Sequence, residues 1–176
     1  MKGLRCNMAA KWVSLVILAT FACACHEVDD ERIPRMPVSI NLTGAGMWNS
    51  YGVSGTGIYR RFIIQERQPA GFPYAMGSAT GFGGVLLIGG LDPFTSEPNV
   101  PLAYDLACPV ERQPSVRVYI DAENLDAVCP ECKSHYNVVT GGGSPLSGPA
   151  LTGKVPYGLR RYQCLAGNGG GYYISD

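Results

Sequence analysis

The chain has 176 residues, with 14 Lys and Arg set against 14 Asp and Glu. Its only adjacent basic pairs are Arg60-Arg61 and Arg160-Arg161, so it lacks the clustered positive charge of a nucleic-acid-binding surface. Gly (23 residues) and Pro (13) are well above average, and no long stretch repeats apolar residues at the helical period, which excludes a helix bundle.

Lys2, Arg5 and Lys11 form a basic start, and Trp12 to Phe21 is an apolar stretch. Ala22-Cys23-Ala24 then places small residues directly before Cys25. This is the pattern of a cleaved targeting segment over residues 1–24. Its apolar part is too short to span a bilayer, which takes about 20 residues. Glu27, Asp29, Asp30 and Glu31 follow at once; an acidic run without apolar residues reads as a solvated tether. The tether is expected over residues 25–35, before Pro34 and Pro37 stiffen the chain. Loss of the segment removes Lys2, Arg5 and Lys11 and no acid, leaving a net charge of −3.

A Cys directly after such a site resembles the lipobox of bacterial lipoproteins, with Ala22 where that motif usually carries Leu. Cys23 is the competing choice, but bulky Phe21 would then stand two residues before the cut. The acidic run resembles the export tag of surface lipoproteins in the Bacteroidetes phylum. Together these resemblances imply a lipid on Cys25 and a place in the cell envelope, anchored to the outer membrane. A plain cleaved signal without lipid is the alternative.

Residues 36–176 suffice for one domain with a single core. Short apolar or alternating runs bounded by Gly, Pro, Asn and Asp predict an all-β fold. Val38, Ile40 and Leu42 alternate as one face of a strand. Strands are predicted at 57–65, at 84–88 (fully buried), and at 102–106, 115–121, 136–139, 157–165 and 171–175. Gly167 to Gly170 suits a hairpin turn, because Gly and Asn accept positive φ. Residues 69–80, 92–101 and 141–150 read as loops.

With Cys6 and Cys23 lost in the segment and Cys25 lipidated, Cys108, Cys129, Cys132 and Cys164 remain. An even count in an exported protein favours disulfides. The two-residue gap between Cys129 and Cys132 is equally the spacing of a metal knuckle. A redox dithiol at that pair would call for a helix after it, and none is predicted. His26 falls on the tether, so histidine chemistry would have to run through His135. Pairs such as Asp121 with Glu123 read as solvated turn charges.

Cys108-Pro109-Val110-Glu111, then Cys129-Pro130-Glu131-Cys132-Lys133-Ser134-His135-Tyr136, then Gly148-Pro149-Ala150 and Leu159-Arg160-Arg161-Tyr162 follow one another. In that order they resemble the layout of a Rieske iron–sulfur domain over residues 84–176. The resemblance implies stacked antiparallel sheets with two cysteine loops and a Gly-Pro-Ala loop. It also implies a degenerate ligand set, because Val110 and Cys132 stand where the family has histidines and Lys133 replaces a loop Gly. A Rieske [2Fe–2S] centre needs two Cys and two His, so that cluster is not expected. Cys108, Cys129 and Cys132, with Glu111 or His135 as a fourth donor, suit Zn²⁺ or a single iron. The family layout turns position 135 outward, which favours a plain surface histidine there, and puts Cys164 on a strand away from the loops. The rival is a disulfide from Cys108 to Cys129 or Cys132, worth about 3 kcal/mol in the chain-entropy model. The expectation is a non-catalytic structural or interaction lipoprotein with an unidentified protein partner; the alternative is a metal-binding electron-transfer or redox protein.

Cys25→Ser should release the protein from membranes or leave its segment uncleaved, as read by fractionation and intact mass. Unchanged membrane partition would contradict lipidation at Cys25.

Overall fold

A computed structural model describes residues 27–92 and 97–176. The expected targeting segment and Cys25 lie outside the described residues. The fold is all-β, built from antiparallel sheets, one of them a nearly closed barrel. Among the described residues no helix is long and apolar enough to cross a membrane.

The strands are β1 (Val38–Thr43), β2 (Tyr59–Phe62), β3 (Ala79–Thr80), β4 (Val85–Leu91), β5 (Pro98–Asp105), β6 (Tyr119–Ile120), β7 (Ala127–Val128), β8 (His135–Asn137), β9 (Ser144–Ser147), β10 (Arg161–Ala166) and β11 (Gly171–Ser175). The barrel sheet runs β2-β4-β5-β10-β11-β1-β3, and a smaller sheet runs β6-β7-β8-β9.

β4 shows why the two sheets belong to one domain. Side chains alternate across a strand, and here both faces are buried. Val85 and Leu87 enter the barrel core with Ile40, Leu42, Phe62 and Ile174. Leu86 and Ile88 enter a second core with Tyr104, Leu106, Val118, Tyr136 and Leu159. An uninterrupted apolar run is what a strand between two cores requires. β5 pairs with β4 from Val85↔Asp105 to Leu91↔Pro98 and divides its side chains in the same way. The Tyr104 hydroxyl donates to the Val138 carbonyl at 3.2 Å, joining β5 to the segment after β8.

Several predicted boundaries move. β5 begins at Pro98, inside the predicted 92–101 loop. Its first residues pair with β4 but extend past β10, which meets only Ala103 and Tyr104, so Pro98 and Pro101 remove no second ladder bond. β9 lies inside the predicted 141–150 loop and carries Pro145 on the edge of the small sheet, again where proline is tolerated. Helix α1 (Ala45–Tyr51) has no side-chain cap and no buried residue; the Trp48 ring rests 4.9 Å from that of Tyr172. The predicted β10–β11 hairpin turn is present, with Gly169 and Gly170 at φ 85° and 92°.

Part of the expected tether is seated on the domain. Asp29 pairs with the chain at Tyr157 and Gly158, its N–H donating to the Pro156 carbonyl and its carbonyl accepting from Gly158. Ile33 is fully buried, and its carbonyl accepts from Arg160 Nε at 3.1 Å. Arg32 covers the Tyr157 ring at 3.7 Å.

Asp105 fixes the end of β5. Its buried carboxylate accepts from the N–H groups of Phe82, Gly83 and Ala107 and from the Tyr162 hydroxyl at 2.6 Å. Burial raises its pKa, against the pull of these donors. One side chain thus ties the turn before β4, the residue before Cys108, and β10. Asp105→Ala would strand the buried N–H groups of Gly83 and Ala107 and the half-buried one of Phe82, each buried group costing about 1–3 kcal/mol. Urea unfolding should show a loss of about 3 kcal/mol or more; a loss below about 1 kcal/mol would contradict this role.

Candidate metal centre

Two loops leave the second core side by side. The first follows β5 and runs from Cys108 to Arg112; the second joins β7 to β8 from Cys129 to Ser134. Cys108 and Cys129 are fully buried, and Cys132 is half-buried. Their three sulfur atoms lie within 4.8 Å of one another, with Cys108 Sγ and Cys132 Sγ at 3.6 Å. Two thiolates on one tetrahedral ion at a bond length of about 2.3 Å sit about 3.8 Å apart, so this spacing suits a single ion.

Hydroxyls and amides surround the sulfurs. Tyr136 is fully buried and brings its hydroxyl to 3.5 Å from Cys108 Sγ. Cys132 Sγ donates to Ser134 Oγ at 3.2 Å, and Ser134 Oγ also accepts from the Ala150 N–H at 3.1 Å. The Gly148-Pro149-Ala150 loop therefore lies over the second cysteine loop. Gly148 has φ +81°, and a Cβ there would stand 2.7 Å from the Ser134 Cα, so only glycine permits this approach. Burial pushes the Cys108 thiol pKa up, opposed by the Tyr136 hydroxyl and by the amides of Glu111 and Val110. Burial likewise pushes the Cys129 thiol up to about 12, opposed by the amides of Cys132 and Glu131.

The structure thus gathers three of the five candidate donors. Glu111 and His135 are outside the sulfur group. His135 neighbours Tyr136 on β8, and since Tyr136 faces the sulfurs, alternation turns His135 to the other face. There its Nδ1 meets Asp126 Oδ2 at 3.5 Å. Cys164 lies on β10 against the barrel core, where burial raises its thiol to about 12. All four described cysteines are unpaired. Sequence reasoning passed over Asp105, which anchors the start of the first loop; a lone acid at the end of an apolar run carries no signal of its four partners. The amide donors to sulfur were equally hidden, because they are backbone groups.

No protein-family model matches the chain, and no curated protein or solved structure matches it either.

A thiol of pKa about 12 is about one part in ten thousand thiolate at pH 8, against roughly a quarter for a free thiol of pKa about 8.5. In metal-free protein, Cys129 should therefore alkylate at least a hundredfold more slowly than free cysteine at pH 8. Its rate should keep climbing with pH beyond 9, as peptide-resolved mass spectrometry would show. Alkylation at the free-thiol rate would contradict this environment.

Proposed function

We propose that this protein is a lipid-anchored envelope protein whose all-β domain holds one Zn²⁺ or iron ion between two cysteine loops. The role of the ion is structural and non-catalytic. The observation that carries this reading is the convergence of three thiol sulfurs from two separate loops within 4.8 Å, all in or against one core.

A disulfide explains this arrangement less well. It would join two sulfurs and leave the third with no function, whereas amide N–H groups face both Cys108 and Cys129. These donors offset part of the burial that raises both thiols, and thiolates are the form that binds metal. Three soft sulfur donors suit Zn²⁺ or iron.

The Rieske resemblance supports the two-loop layout but not its cluster. At the first histidine place stands Val110, which packs against the second core and offers no donor. At the second stands Cys132, whose sulfur is close enough to that of Cys108 for both to share one ion. The residues present do not fit a Rieske [2Fe–2S] centre. A bound ion would tie the chain after β5 to the β7–β8 connection across the second core, which is the work of a structural site.

Protein exported and purified without chelator should carry one zinc or iron per chain by elemental analysis. Cys108→Ser and Cys132→Ser should each lose most of it. Because metal that binds only the folded state stabilises it, chelation should lower the melting temperature of wild type and leave both variants nearly unmoved. Equal metal content in wild type and variants would overturn the proposal.

A further inference from the structure

The two cysteine loops are copies of one backbone unit. Cys108-Pro109-Val110-Glu111-Arg112 and Cys129-Pro130-Glu131-Cys132-Lys133 align residue for residue. In each, the cysteine carbonyl accepts from the N–H four residues on, Arg112 at 2.9 Å and Lys133 at 3.2 Å. In each, that fifth residue is left-handed, with φ 55° at Arg112 and 57° at Lys133. Both cysteine sulfurs face the amides two and three residues ahead. Each unit also closes an antiparallel pairing, Ala107 with Arg117 and Val128 with His135.

Two such units placed face to face define four ligand positions, the first and fourth residue of each. Cys108, Cys129 and Cys132 occupy three of them, and Glu111 occupies the last, at the position Cys132 holds in the other unit. The Glu111 amide is a hydrogen-bond partner of the Cys108 thiol, while its carboxylate stands outside the 4.8 Å sulfur group. Its carboxylate makes no hydrogen bond or ion pair among the described residues and is half-buried, so nothing has to be broken for it to turn inward. His135 has no corresponding place in the repeat and is engaged with Asp126.

Resting on the metal-centre reading above, we infer that Glu111 is the fourth ligand and that the site takes a four-coordinate divalent cation, Zn²⁺, in a closed Cys₃Glu shell. A closed tetrahedral shell distinguishes a structural zinc site from a catalytic one, which keeps a position open. The carboxylate also adds a hard oxygen donor, which disfavours a three-coordinate Cu⁺ site built from thiolates alone.

The test uses Co²⁺ and Zn²⁺ with the full-length wild type, Glu111→Gln and Glu111→Cys. Wild type should show the visible bands of tetrahedral Co²⁺ with thiolate charge transfer. Glu111→Gln should shift those bands and weaken Zn²⁺ binding roughly tenfold or more against a competing chelator, since even outer-shell changes cost 10–100-fold. Glu111→Cys should gain charge-transfer intensity in proportion to a fourth thiolate, a gain that misfolding cannot produce. Glu111→Gln with wild-type bands and affinity, or Glu111→Cys with no gain, overturns the assignment of Glu111 while the three-cysteine centre stands. A wild type that binds neither ion overturns both readings.

Discussion

β4 and the second half of β5 form a wall buried on both faces, and the rest of the molecule is arranged around it. Leu87 and Val85 fill the barrel on one side, while Leu86, Ile88 and Tyr104 support the small sheet on the other. Because β5 is held along its length by β4, its last residue arrives at a fixed place. The Asp105 carboxylate then clamps that place to the turn before β4 and to β10. The first cysteine loop starts three residues later, so the clamp fixes where it begins, and the packing of Cys108 and Val110 on the second core holds it there.

The second loop is held by other means. β7 and β8 are only two and three residues long, and so short a hairpin is marginal on its own. It is kept in place by the Tyr136 side chain in the second core and by Ser134, which links it to the Gly-Pro-Ala loop. Between these separately supported loops the sulfurs meet. Without an ion, the site buries thiols whose neighbouring amides point at sulfur rather than at an oxygen acceptor. With a thiolate-bound cation the same amides become charge-assisted donors, and the two loops, which meet at their sulfurs, acquire a common anchor.

The fold was legible where burial left a periodic mark. Val38, Ile40 and Leu42 alternate and form β1, and the unbroken run from Val85 to Ile88 marks a strand with two buried faces. It was not legible where a strand carries residues that normally end one. Pro98, Pro101 and Pro145 sit in strands because their missing N–H groups fall on edges, and an edge is a property of the assembled sheet. Asp29 and Ile33 read as tether in a run of acids, yet the backbone of one and the side chain of the other find places on the domain. The cysteine spacing announced a shared site. Which residue faces it depends on the left-handed turns at Arg112 and Lys133, and neither residue type signals such a turn.

The most direct measurement is a native mass spectrum of residues 26–176, exported and purified without chelator. The expected mass exceeds that of the reduced chain by one zinc or iron ion, lost on mild acid treatment. A mass lower than the reduced chain by two hydrogens, with no bound ion, would mean that a disulfide closes the loops and would contradict the metal centre.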